Sequence, residues 1–561
     1  MSSAGIRVIG RRFGLGPLAL YIAISFLAFG LRIVLDPGAQ YVGGNDDPQI
    51  FIWSLAWWPH AIAHGHNPFV TPAIWAPSGV DLAWATSTPA LSLVFAPLTA
   101  VVGAVAAYNV AAVLMPALSA WTCFLLCRRI TGSTWASLAG GYVFGFSSYI
   151  LGHELAGHLH LTSVFLVPLM AFVILDYLES RIDGRGFAVR FGLVLAGQIL
   201  LSTEVAASAT LALFAALALA AAIVPTTRSR IREAIRPLAG AYALAALLVS
   251  PFLYYLLSDF QTATINSPQA FVADVANLVI PTGTALSGRG WIQWTHLEGN
   301  IGENGAFLGL PLLLIAGLFG FRQRRSRSAL FLVAALGVAI VASFGSELRL
   351  NGRGITPLPW LAVVHLPLFD NLLPVRFMMF ASLAAAVIAS RWAAFDRARI
   401  SIRIALLAAA ILVLVPDPAG PSWATGYSVP SFFTDPAYTS CLDPGEIVLP
   451  LPIADGGQAD LWQVAAGFRF RLAGGRLLSA PPPPFQHPEA IAKVADGLVV
   501  YSDEPRLLAR FVRAKGISTV IVDDRFSYKW APVLDSIATG RDVGGVRIYN
   551  FSPLPPSCGA G

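Results

Sequence analysis

Two adjacent carboxylates, Asp46 and Asp47, stand in the run Gly43-Gly44-Asn45-Asp46-Asp47-Pro48. A carboxylate held in a partly dry site can act as a general base. Set just before Pro48, the same pair could instead cap a helix. A second polar motif reads His153-Glu154-Leu155-Ala156-Gly157-His158-Leu159-His160, and it holds three of the nine histidines in the chain. His158-x-His160 in an extended segment could chelate a divalent ion, and the alternative is a set of interfacial polar side chains with no ligand. Glu204 interrupts two long apolar runs. An ionisable group at such a place is a functional candidate or a turn residue at the membrane surface. The stretches Gly288-Arg289-Gly290-Trp291 and Glu298-Gly299-Asn300-Ile301-Gly302-Glu303-Asn304-Gly305 mix aromatic and polar groups, as sugar sites do. Arg289, Arg353 and Arg376 could grip a phosphate through the guanidinium fork, or snorkel to ordinary lipid headgroups.

The elements that must position these groups are membrane spans. Of 561 residues, 56% are hydrophobic and 12% charged, and mean hydropathy is +0.66. Such a composition excludes a soluble multidomain enzyme and a disordered chain. The net charge of +6 is carried almost wholly by arginine. It suits basic cytoplasmic loops and calls for no nucleic-acid partner. Arginine clusters recur at Arg128-Arg129, Arg181 to Arg190, Arg228 to Arg236, Arg322 to Arg327 and Arg391 to Arg403. Placing all of them inside, with Arg7, Arg11 and Arg12, gives eleven spans near 13–35, 109–127, 134–151, 162–178, 190–203, 206–224, 237–257, 306–321, 329–344, 376–391 and 404–416. The apolar segment Ala90 to Ala107 is then re-entrant or interfacial, broken at Pro97; counted as a span, it makes twelve. Loops 36–108, 152–161, 258–305 and 345–375 face outward and carry the reactive groups. The Gln49 to His64 stretch, with Trp53, Trp57 and Trp58, predicts a helix lying in the interface with its indoles at headgroup level.

After Pro416 the composition changes. Strand-like runs at Glu446 to Leu451, Thr519 to Val522 and Val546 to Phe551, a helix from Glu504 to Ala514 capped by Ser502, and a stiff loop at Pro481 to Pro484 predict a small α/β domain. The expected architecture is thus an α-helical polytopic membrane domain, 1–416, followed by an extracytoplasmic α/β domain, 417–561. Cys441 and Cys558 could pair there, whereas Cys123 and Cys127 read as packing residues.

The acidic pair after the first span, the aromatic helix behind it, the His153 to His160 motif between the third and fourth spans and the outer C-terminal domain together resemble the GT-C superfamily of integral-membrane glycosyltransferases. Val364 to Phe377 and Glu303 to Pro311 also look like bacterial proteins of the YfhO and protein O-mannosyltransferase-like group. The resemblance implies transfer of a sugar from a polyprenyl-phosphate donor to a glycan, lipid or protein acceptor. The reaction would take place at the outer face of a bacterial cytoplasmic membrane, among membrane lipids. Asp46 or Asp47 would match the catalytic base. His153, Glu154, His158, His160, Glu204, Glu303, Asn304 and Arg376 would bind substrate, and Arg289, Arg353 and Arg376 the phosphate. A divalent metal, Mg or Mn, would sit on Asp47, Glu154, His158 and His160, although enzymes using monosaccharide carriers often work without one. Thr88-Pro89-Ala90-Leu91 stands where the family has an HPPL-type motif, and it departs from that pattern. The competing readings are an exporter, which would need polar span interiors and an internal repeat, and a non-catalytic assembly protein.

Overall fold

The computed structural model describes residues 3–35, 38–258, 267–366, 369–419, 423–453, 457–477, 482, 485, 504–551 and 558. Ser502 and most of the Pro481 to Pro484 run lie outside these residues.

Among the described residues six helices are long and apolar enough to cross a membrane: Gly14–Val34, Ala104–Thr131, Leu159–Leu178, Gly184–Leu201, Thr203–Ile223 and Pro374–Phe395. The pair Pro225–Leu248 and Ser250–Ser258, bent by 77°, makes a seventh if it is one span. The protein is a membrane protein. Leu310–Arg322, Arg327–Ser343 and Ile400–Leu412 are apolar but shorter. At 1.5 Å per residue, a helix of 13 residues reaches about 20 Å, against about 30 Å of hydrocarbon. The expected span 134–151 is two helices, Thr134–Gly145 and Ser148–Ala156, separated at Phe146-Ser147. The long apolar stretch after Arg190 breaks at Ser202, whose side chain accepts from the Val205 amide and starts Thr203–Ile223. The Ala90 to Ala107 stretch is broken twice, by Phe95 and by Gly103. The first break precedes Pro97, which sits in the first turn of Ala96–Val102.

The bundle core forms where Ala104–Thr131 packs on Thr134–Gly145 and Met378–Phe395. Small residues let the backbones approach. A Cβ on Gly145 would lie 2.4 Å from the Ala120 Cβ.

A second core surrounds a five-stranded mixed sheet. Its order is Gly540–Val543, Val546–Asn550, Thr519–Asp523, Ile447–Leu451, Arg471–Leu472; the first two junctions are antiparallel and the last two parallel. A helix at Glu504–Lys515 leads into the central strand, which is buried at every position. This core is not made by the tail alone. Leu472 donates to the Ala73 carbonyl, and Trp75 and Ala76 donate back to Gly474 and Leu472. Gln40–Val42 pairs with Ala424–Gly426. The helix Pro48–Ala63 is mostly apolar, and ten of its sixteen residues are buried. Its three indoles therefore do not sit at headgroup level as expected. Trp53, Trp57 and Trp58 are buried in the second core, and Trp53 Nε1 donates to Gln463 Oε1 at 2.7 Å.

Cys441 and Cys558 form a disulfide that closes a separation of 117 residues, whereas Cys123 and Cys127 are buried thiols. Loss of such a crosslink costs about 2–5 kcal/mol. Cys441→Ser/Cys558→Ser is expected to lower the melting temperature in lipid discs. Denatured, unreduced protein should expose two alkylatable thiols of the four cysteines; four would show that the bridge is absent.

Candidate functional site

The site begins with two loops that touch through glycine. Gly43 (φ +114) and Gly157 (φ +72) face each other so closely that a Cβ on Gly157 would lie 2.4 Å from Pro48 Cγ. The Gly44 amide donates to Leu155 across the same contact. Only residues without a Cβ permit this approach. It brings Asp47 Oδ2 to 3.1 Å from His158 Nε2. Asp47 sits at the start of Pro48–Ala63 but makes no side-chain capping bond. Its carboxylate instead takes His158 and the Asn45 amide. Burial raises its pKa, but the bond to His158 and the charges of His158 and Arg476 outweigh burial and hold it below the ordinary value. Asp46 accepts from the Tyr41 hydroxyl at 3.4 Å and from Gln49 Nε2 at 3.3 Å. Arg476, delivered by the segment after the last sheet strand, stands 3.7 Å from a carboxylate oxygen of each aspartate.

From Asp47 a row of polar groups runs into the protein. His158 Nδ1 lies 3.0 Å from His153 Nδ1. With His158 Nε2–H assigned as donor to Asp47, a single proton is shared between the two facing Nδ1 atoms. Burial pushes the His153 imidazole well below its ordinary pKa, so it is neutral. His153 Nε2 lies 4.0 Å from Glu303. Glu303 holds Arg376 with both oxygens, at 2.5 and 3.2 Å, and Arg376 also donates to Glu204. Helix-start geometry supplies Glu204, in the first turn after the Ser202 cap, and Arg376, in the short turn Pro374–Phe377 that opens the next helix. Burial raises the pKa of Glu303, but Arg376 outweighs it and holds the carboxyl below its ordinary value.

Other expected site residues are placed differently. Arg289 is bidentate on Asp417, at 2.7 and 2.5 Å, and staples a loop to the end of the helical region; it is not turned to the site. Arg353 lies on an exposed two-stranded ribbon, Glu347–Leu350 with Arg353–Pro357. Asn304 follows Glu303 in the same turn and is half-buried. Glu154 is fully buried, and burial raises its carboxyl well above the ordinary range, so it is a neutral acid and a poor metal ligand. His160 stacks on Phe51 at 5.5 Å.

The expected ligand set of Asp47, Glu154, His158 and His160 therefore does not gather. Among the described residues His153, His158 and Glu303 do, each offering one atom within 4.8 Å of the others. Two imidazole nitrogens and a carboxylate fit a divalent ion by donor type. Charge agrees: Asp46, Asp47, Glu204 and Glu303 against Arg376 and Arg476 leave two negative charges before the histidines are counted. An ion there would share Glu303 with Arg376.

Sequence reasoning missed Arg476 and Asp460. Asp460 is 2% exposed, and its Oδ2 accepts from the Arg476 amide. Nothing in the local sequence marks either residue, because only the crossing of the sheet unit over the first loop gives them neighbours.

The chain matches the model of a family described as Domain of unknown function (DUF6311) over residues 18–417. No curated protein matches it. Among solved structures it is similar to the Archaeoglobus fulgidus oligosaccharyltransferase, in a complex with Zn and sulfate. The TM-score is 0.54 at 13% identity, over 92% of this chain and 69% of that one. It is also similar to the arabinofuranosyltransferase AftD from Mycobacteria, with a TM-score of 0.54 at 16% identity, over 97% of this chain. The chain spans 40% of the length of AftD. This chain shares the fold of both neighbours.

Two outcomes follow from the geometry. Glu303→Gln strips a charge from a buried guanidinium and is expected to cost about 3–5 kcal/mol, read as a lower melting temperature; an unchanged melt would show that the pair contributes nothing. Burial raises the Asp460 carboxyl from 3.8 to about 6, against a smaller opposing pull from Arg476. Below pH 3.8 both folded and unfolded chains are protonated there and folding bears no penalty. As pH rises the unfolded chain ionises first, and the penalty grows to roughly 3 kcal/mol above pH 6. Asp460→Asn should therefore match wild type at the acid end and gain stability over it between pH 4 and 7; parallel curves would contradict the assignment.

Proposed function

The chain belongs to the DUF6311 family, and we propose that it is a glycosyltransferase that moves a sugar from a polyprenyl-phosphate donor to an acceptor hydroxyl or amide. The observation that carries this reading is the row of polar groups Asp47–His158–His153–Glu303–Arg376–Glu204, hydrogen-bonded at every step but the 4.0 Å approach of His153 to Glu303 and assembled from separate segments of a GT-C fold.

In this reading Asp46 or Asp47 removes the proton of the acceptor as its oxygen or nitrogen attacks the anomeric carbon. The bond from that carbon to the phosphate oxygen breaks, its electron pair leaves with the lipid phosphate, and the configuration inverts. The His158 contact orients Asp47, and Arg476 limits the repulsion between the two carboxylates. Arg376 is already neutralised by two carboxylates, so it organises the site and does not bind phosphate by itself. Arg476, in looser contact with its acids, is the cation better placed for the leaving group. A divalent ion on His153, His158 and Glu303 would supply further positive charge to the phosphate. The archaeal neighbour's complex with Zn and sulfate supports that role. Eleven spans with the N-terminus in the cytoplasm would put residues 417–561 outside, and the Cys441–Cys558 bridge is in keeping with an oxidising compartment. The acceptor is a glycan, lipid or protein.

Reconstitution in liposomes with a panel of polyprenyl-phosphate sugars tests the proposal. Transfer by wild type is expected to fall by about 10²–10⁴-fold in Asp46→Asn or Asp47→Asn, whichever is the base. Full transfer by both variants, or none by wild type with any donor, would sink the reading.

A further inference from the structure

A cavity of about 150 Å³ lies beside the polar chain, lined by the loop from Ala83 to Pro89, His160, the segment Ile199 to Glu204 and Phe252. It touches that chain at Glu204 and comes near its other end through His160. His160 is two residues beyond His158, the partner of Asp47, and Glu204 is the partner of Arg376.

Three of its lining residues carry a buried polar atom with no hydrogen-bond partner: Thr88 Oγ1, His160 Nδ1 and Glu204 Oε1. Buried polar atoms are almost always paired, so three orphans around one cavity point to a ligand that completes them. Thr88 adds an independent sign. It is 3% exposed, and its backbone is left-handed, at φ 41 and ψ 62. A β-branched residue in that region is strained, and a glycine would adopt it without cost. Such strain persists where the side chain has a use.

The chemistry of the three atoms narrows the ligand. Glu204 Oε1 can only accept, the Thr88 hydroxyl can donate or accept, and the second nitrogen of His160 takes whichever role its tautomer leaves. Hydroxyl groups satisfy all three at once. The apolar faces of Phe252 and Trp84 complete a lining of the kind that holds a ring with polar edges. Resting on the transferase reading, we propose that this cavity is the monosaccharide subsite, with Thr88, His160 and Glu204 as the residues that select the sugar by its hydroxyls. The sugar belongs either to the lipid-linked donor or to a glycan acceptor.

The test uses the full chain in lipid discs free of glycoside detergent. Free D-arabinose, D-galactose, D-glucose, D-mannose and N-acetylglucosamine are the probes, at millimolar concentration, and saturation-transfer NMR is the readout. At least one sugar is expected to bind, and Thr88→Gly and His160→Phe should each weaken it by about tenfold or more. The melting temperature of Thr88→Gly should hold or rise, because strain is removed; Thr88→Val serves if the glycine variant does not fold. In the transfer assay a raised KM for the lipid-linked sugar assigns the cavity to the donor, and a raised KM for the glycan assigns it to the acceptor. Absence of binding by every sugar, or binding and both KM values untouched by the variants, overturns the subsite. Transfer with unchanged KM values in Thr88→Gly would sink the subsite and leave the transferase reading standing. Sugar binding lost in the variants, with no transfer from any lipid-linked donor, would do the reverse.

Discussion

A guanidinium buried in an apolar chain must be neutralised where it sits, and Arg376 is neutralised from two directions. Glu303 arrives on a loop and Glu204 on the first turn of a membrane helix. Desolvation makes either charge prohibitive alone, so the three are stable only together. That requirement pins the loop before Leu310–Arg322, the start of Thr203–Ile223 and the start of Met378–Phe395 to one point. Everything else in the site is hung from there. His153 borders Glu303, His158 borders His153, and Asp47 borders His158.

The other end of the chain depends on contact between two backbones. Gly43 and Gly157 let the first loop press on the end of Ser148–Ala156, and the indoles of Pro48–Ala63 anchor the same loop into the sheet unit. The site is therefore clamped between a bundle that supplies histidines and ion pairs and a sheet unit that supplies Arg476 and Asp460. Rigid attachment on both sides keeps the carboxylates, the imidazoles and the adjoining cavity in fixed register, which a positioned base requires.

Much of this was legible before any coordinates. The apolar runs, the break at Ser202, the three long strands of the tail and the prominence of Asp46-Asp47 and His153 to His160 all follow from local composition and periodicity. Other features were not. The burial of Trp53, Trp57 and Trp58 reversed an interfacial assignment, because an indole prefers a protein core and a headgroup layer for the same amphipathic reason. Glu154 and His158 are neighbours in sequence, yet one turn of helix and the Gly157 cap send one into the core and the other to Asp47. Arg289 found Asp417, a partner 128 residues away that no local pattern announces.

The sequence by itself determined that the chain lives in a membrane, that its ionisable groups are few, and which short motifs hold them. Hydrophobic patterning is local, and so it can be read along the chain. Only the tertiary structure decided which of those groups meet, that Glu303 and not Glu154 completes the histidine pair, and that Arg476 crosses from the sheet to the aspartates. Charge pairing and backbone approach act through space, between residues as far apart as the two ends of the fold, and the spacing of letters carries no record of them.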